Sequence, residues 1–163
     1  MIKTLVIFLG LTALSFGCGP AETTEQPAEE AQAEEQSEPS LYDRLGGVYN
    51  IASVVDDLIE RLSADEILNA NPAIKEARDR VPKPGLKFHL TAMICQAAGG
   101  PENYTGRSMK ESHLHLNITD TEWEAMKADF KETLDKFQVP EKEQNELFTI
   151  VESTKGDIVM SSM

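Results

Sequence analysis

GGPENYTGRSMKESHLHLNIT, residues 99–119, decides how the rest of this chain is read. It opens on two glycines and a proline, a combination that ends whatever helix precedes it. It then delivers His113 and His115, two of the chain's three histidines, only two positions apart. The third, His89, lies 24 residues before His113, in LKFHLTAMICQAAGG. The stretch closes on Thr119-Asp120-Thr121-Glu122, the signature of a capping box that opens a new helix.

Working outward, helices follow on both sides. From Gly85 to Ala98 a helix places Leu86, His89, Leu90, Met93 and Ala97 on one apolar, buried stripe. After the capping box, Trp123, Met126, Phe130, Leu134 and Phe137 share one side of another helix. Pro140 starts a last helix, to about 157, with Leu147, Ile150, Val151 and Ile158 apolar. Toward the N-terminus, Ser40-Leu41-Tyr42-Asp43 reads as a cap and first turn, and Gly46-Gly47 interrupts it. Ile51, Val54, Val55, Leu58, Ile59 and Leu62 then recur at spacings of three and four, a helix near 49–64. The 65–84 stretch, with Asn69, Asn71, Pro72, Pro82 and Pro84, is expected to be mostly loop. No run reads as a strand and no repeat is evident, so the expected class is all-α.

The front of the chain reads as an address. Lys3 precedes an apolar run from Leu5 to Phe16, of the length of a signal core. That run falls short of the about 20 apolar residues a bilayer span takes. Ser15-Phe16-Gly17-Cys18 resembles a bacterial lipobox, although Leu14 stands one place further from the cysteine than that pattern has it. The expectation is an export signal over 1–18 and a cell-envelope lipoprotein anchored through Cys18, on the periplasmic or extracellular face. A secreted or signal-anchored form is the alternative. Residues 21–40 carry seven glutamates and no Lys or Arg. Such a segment buries too little to offset its ordering entropy, so 19–40 is expected to be a disordered acidic tether. An acidic recognition tail is the functional alternative.

The formal net charge is −13, and −7 once those seven glutamates and Lys3 are set aside. That balance excludes a nucleic-acid binder, which needs basic patches. About 120 residues remain, enough for one core and one domain over 41–163. With Cys18 acylated, Cys95 is left alone and an intramolecular disulfide is ruled out. Cys95 has two readings, a small buried hydrophobe or a redox thiol.

His89, alone, reads as a core histidine bonded to a carbonyl. His113 and His115 do not share a helix face. A structural zinc site needs four ligands in close Cys/His spacing, and no such cluster is present. An all-α domain with a histidine on an apolar face, and another just before a capped helix, can instead build a haem pocket, since haem iron accepts neutral imidazole. The spacing leaves these readings open.

A resemblance adds to this. From Leu41 to Val159 the chain resembles the group I truncated haemoglobins, the short two-over-two globins. Leu41-Tyr42-Asp43-Arg44-Leu45-Gly46-Gly47 is similar to that family's opening. Val54-Val55-Asp56-Asp57 followed by Arg61-Leu62-Ser63-Ala64-Asp65 is similar to its second helix. Gly99-Gly100-Pro101-Glu102-Asn103-Tyr104-Thr105-Gly106-Arg107, then Met109-Lys110, His113 and Ile118-Thr119, carries the most specific match. The resemblance implies a two-over-two helical sandwich that holds haem b. It implies His113 as the proximal iron ligand, and His89 as a ligand on the distal side when no gas is present. Leu86, Leu90 and Ile94 match positions facing the distal side of the haem, and Met109 matches a pocket position. His115 matches no ligand. The implied partners are haem, a diatomic gas such as O2 or NO, and a redox partner, with the membrane met only through the lipid anchor.

The departures concern the distal side. Many members carry Phe-Tyr where this chain has Leu58-Ile59, and there the tyrosine hydroxyl hydrogen-bonds bound oxygen. A distal glutamine of some relatives corresponds to Leu90, and a Phe-Phe pair to Asn71-Pro72. A lost hydrogen bond to a charged acceptor typically costs about 1.5–3 kcal/mol, so tight oxygen storage is not expected unless Asn69 or Asn71 supplies a donor. Two alternatives stand beside the haem-binding reading. One is a haem-free globin-like lipoprotein acting as a binding or structural module, since fold does not dictate function. The other is a peroxidase or nitric oxide dioxygenase, which needs distal acid–base groups for which His89 is the one evident candidate.

Overall fold

The computed structural model describes residues 38–160. The expected export signal, and the tether as far as residue 37, lie outside the described residues. Ser40 caps α1 (Leu41–Arg44): its hydroxyl accepts from the Asp43 N–H at 3.1 Å and donates to the Asp43 carboxylate at 2.6 Å. After Gly46, α2 (Gly47–Ala64) buries Ile51, Val55, Leu58 and Ile59, the stripe read from its periodicity.

The 65–84 stretch is a correction. It holds α3 (Glu66–Ala70) and α4 (Pro72–Arg80) in place of a loop. The side chain of Asp65 accepts from the Leu68 N–H at 2.6 Å and caps α3. Asn71 caps α4 by accepting from the Ala73 N–H at 2.9 Å, with Pro72 in the first turn. There proline's missing N–H costs nothing and its fixed φ suits the helix. These residues start helices here.

The next helix, α5 (Lys83–Ala97), begins two residues before the expected start and takes Pro84 into its first turn. Gly99, at φ +85°, turns the chain out of α5, and the Gly100 N–H donates to the Cys95 carbonyl at 2.8 Å. A left-handed glycine with that return bond satisfies carbonyls the helix end would leave bare. The chain continues through α6 (Met109–His113), α7 (Asp120–Lys136), α8 (Glu141–Ser153) and α9 (Lys155–Ile158). The expected last helix is thus broken in two. The Ser153 and Thr154 hydroxyls donate back to the Ile150 and Val151 carbonyls at 2.6 and 2.7 Å, competing with its continuation. Among the described residues the β structure is one parallel bridge, Ile118 with Val159, which ties the C-terminal end to the start of α7.

Two helix pairs make the core. The α2 helix packs most extensively against α5 and also crosses α7. Ile51, Val55, Ile59 and Cys95 form one interior cluster, and Leu41, Leu58, Ala98, Phe130, Leu134 and Leu147 another. The α7 and α8 helices meet through Phe130 and Phe148, edge to face at 5.3 Å. The expected stripe of α5 is not buried as a whole. Of its positions, Leu86, His89 and Ala97 are exposed and Leu90 and Met93 half-buried, while the buried residues of this region are Cys95 and Ala98. The spacing placed the buried face at Leu86, His89, Leu90, Met93 and Ala97, and the structure moves it to Leu90, Ile94, Cys95 and Ala98.

The capping box of α7 links fold to pH. The Glu122 carboxylate accepts from the Thr119 N–H at 2.7 Å and hydroxyl at 2.8 Å. Burial pushes this carboxyl up, but bonds from Thr119 and Asn71 outweigh it and hold it below its ordinary 4.5. A depressed acid stabilises the fold above its unfolded pKa, and that contribution disappears as pH falls through the folded value. Thr119→Ala should therefore cost about 1 kcal/mol at neutral pH, and urea unfolding at about pH 3 should show a smaller gap between the two proteins.

Candidate functional site

His113 ends α6, half-buried, with its Nδ1 at 2.8 Å from the carbonyl of Met109 one turn earlier. A carbonyl oxygen can only accept, so Nδ1 carries the proton in this contact. The neutral ring then keeps its lone pair on Nε2, the arrangement that a metal-binding imidazole needs. The helix beneath it is short but well fixed. Ser108 and Glu111 form a capping box at its start, with the Ser108 hydroxyl donating to the Glu111 carboxylate at 2.7 Å. The α9 helix packs against it from the C-terminal end. Met109 is half-buried, and its backbone carbonyl is the group that orients the histidine. His115 is exposed.

His89 sits mid-way along α5 with its ring exposed. Its imidazole lies edge-on between two aromatic rings, Phe88 at 5.4 Å and Tyr104 at 6.0 Å between centroids. Tyr104 belongs to the loop that runs from α5 to α6, so this contact joins the surroundings of the two histidines. Of the expected apolar lining, Leu86 is partly exposed, while Leu90 and Ile94 pack against both interior clusters. Ile94 also lines a cavity of about 340 Å³ together with Ile51, Val54, Phe130, Leu134 and Leu147, and no histidine borders it.

The distal substitutes read from the sequence are both committed elsewhere. The Asn69 amide donates to the Ser63 carbonyl at 3.2 Å and its oxygen accepts from Arg78. The Asn71 amide donates to the Leu116 carbonyl at 2.9 Å while its oxygen caps α4. Leu58 and Ile59 are buried and offer no polar group. Cys95 is fully buried, and that burial, with the nearby Glu102 carboxylate, pushes its thiol up to about 11. At neutral pH it remains a protonated thiol and packs as a small hydrophobe, not as a redox group.

Two features escaped the sequence reading. Tyr104 was quoted only as part of a motif, and its contact with His89 comes from the way the loop between α5 and α6 folds. The Met109 carbonyl was accessible in principle, since a histidine can reach the carbonyl four residues before it.

These observations agree with the comparisons. A family model described as bacterial-like globin matches residues 40–160, and the chain belongs to that family. It is 33% identical over 87 residues to a group 1 truncated hemoglobin of Nostoc commune, covering 53% of this chain and 69% of that protein. The crystal structure of the truncated hemoglobin from Tetrahymena pyriformis in its Fe(III) form superposes with a TM-score of 0.66 at 23% identity, over 74% of this chain and 98% of that one. The 2/2 hemoglobin from Synechococcus sp. PCC 7002, solved in the cyanomet state with covalently attached heme, gives 0.66 at 26% identity with the same coverage. The architecture is therefore the all-α, two-over-two globin fold.

Haem is the cofactor of this family, and the residues present fit it. His113 has the protonated Nδ1 and free Nε2 of an axial ligand. Leu86, Phe88 and Leu114, on the two helix regions that carry His89 and His113, are large apolar side chains exposed within this chain. A flat apolar group would cover such side chains.

Proposed function

We propose that this chain is a haem-binding globin that takes up a diatomic gas, cycles its iron between oxidation states, or does both. His113 is the proximal ligand, and His89 is the ligand on the opposite side when no gas is present. The observation that carries the reading is the hydrogen bond from His113 Nδ1 to the Met109 carbonyl, which leaves Nε2 available. The names of the relatives, all hemoglobins, support it. Haem supplies an iron centre that binds O2 or NO and cycles between ferrous and ferric. The protein fixes His113 through the Met109 carbonyl; Leu86 and Met109 would line the group beside the two histidines, and Leu90 and Ile94, packed in the interior, would back that lining.

On the distal side, Leu58 and Ile59 provide no donor, and Asn69 and Asn71 are occupied. His89 would then be the side chain available to hold the group on that side, and a centre held by two histidines would favour redox change or displaceable-ligand chemistry over tight oxygen storage. The haem-free module finds no favouring observation, since an orienting bond on His113 and an uncovered apolar face both suit an occupant. At the cell level we place the protein on the outer face of a bacterial membrane, held by lipid on Cys18 through the acidic segment 19–40. The pattern from Ser15 to Cys18 supports this.

Absorption spectra test both ligands. The ferric, haem-loaded chain should be low-spin, and His89→Leu should turn it high-spin; a low-spin spectrum that survives the substitution contradicts the role of His89. His113→Gly should lose the ordered spectrum and regain it with added imidazole, whereas an unaltered spectrum would remove His113 from the site. For the anchor, Cys18→Ala should release the chain from the membrane fraction, and continued sedimentation with membranes would count against lipidation.

A further inference from the structure

The setting of His89 is more ordered than an exposed histidine requires. Its ring stands edge-on to Phe88, with planes at 71°, and to Tyr104, with planes at 88°. Edge-to-face geometry sets the positive rim of one ring against the negative face of the next. Phe88 is its chain neighbour, but Tyr104 comes from another element and is pinned at both ends. Its backbone N–H donates to Gln96 Oε1 on α5 at 2.6 Å. Its hydroxyl donates to the Arg107 carbonyl at 2.6 Å, directly before Ser108, the N-cap of α6.

Gly106 completes the arrangement. The Tyr104 ring lies so close over it that a Cβ there would collide with the ring. Gly106 thus leaves room for the Tyr104 ring, which its backbone and hydroxyl bonds hold beside His89.

We propose that Tyr104 is a positioning residue for His89, restricting the imidazole to few rotamers so that it reaches the iron with little ordering left to do. This rests on the reading of His89 as the ligand opposite His113. An exposed histidine samples several staggered rotamers, and each that is fenced off lowers the entropy lost on coordination. Because Tyr104 is bonded to α5 and to the residue before α6, it also links the setting of His89 to the helix that carries His113.

The test uses the full chain and two readouts. In the haem-free protein, proton NMR of the His89 ring should show the shifts of a ring held against aromatic neighbours. Tyr104→Leu should move those resonances toward free-histidine values, and Tyr104→Phe, which keeps the ring, should move them less. In the ferric haem-loaded protein, Tyr104→Leu should lower the ratio of histidine-bound to open form roughly 2- to 10-fold, the range an aromatic pair contributes. Gly106→Ala, which displaces the wall without removing it, should act in the same direction. Unchanged His89 resonances in Tyr104→Leu, or an equal or larger low-spin fraction, would overturn the proposal. A wild-type spectrum that His89→Leu leaves unaltered would fail the ligand reading alone, and the NMR comparison would then decide whether Tyr104 positions His89.

Discussion

A neutral imidazole can give a lone pair to a metal from one nitrogen only if its proton is settled on the other. In His113 the Met109 carbonyl, 2.8 Å from Nδ1, settles it. Much of the C-terminal half serves that contact. The capping box of Ser108 and Glu111 starts the short helix, α9 packs against it, and the Ile118–Val159 bridge ties the C-terminal end to the segment that follows. A helix of one turn has little stability of its own, so the surrounding structure is what holds the ring.

The opposite side depends on a division of labour within α5. The C-terminal part of that helix fills the interior with Leu90, Ile94 and Cys95 against α2, and the part before it leaves Leu86, Phe88 and His89 exposed. A buried Cys95 and an accessible His89 thus lie on one helix. The neighbouring α3–α4 region is anchored independently. Arg78 donates to the Ser63 and Leu62 carbonyls at 3.0 and 3.1 Å and also holds Asn69, while Asn71 reaches across to Leu116. These bonds stabilise the corner between α2 and α5 but occupy the polar groups that could have met a bound gas.

What could be read from the chain followed the range of each interaction. The caps at Ser40 and Thr119, and the glycine stop at Gly99, are local, involve side chains three residues apart or a single left-handed φ, and were legible. Asn71-Pro72 was legible too, but as a break, because an N-cap followed by proline at the first helical position and a loop share the same letters. The buried face of α5 was misplaced: the interior side carries Leu90, Ile94, Cys95 and Ala98, while His89 and Ala97 of the expected stripe are exposed, and in a helix with apolar residues on several sides periodicity does not say which side meets α2. The commitments of Asn69 and Asn71 depend on partners up to 45 residues away, and Tyr104 meets His89 only because the loop after Gly99 folds back. Those are facts of tertiary structure that no window on the sequence contains.

Titration of the full chain with ferric haem, followed at the Soret band, tests the central claim most directly. The account predicts saturation at one haem per chain, and the loss of that ordered band when His113 is replaced by alanine. A chain that takes up no haem, or one whose titration is indifferent to His113, would contradict it.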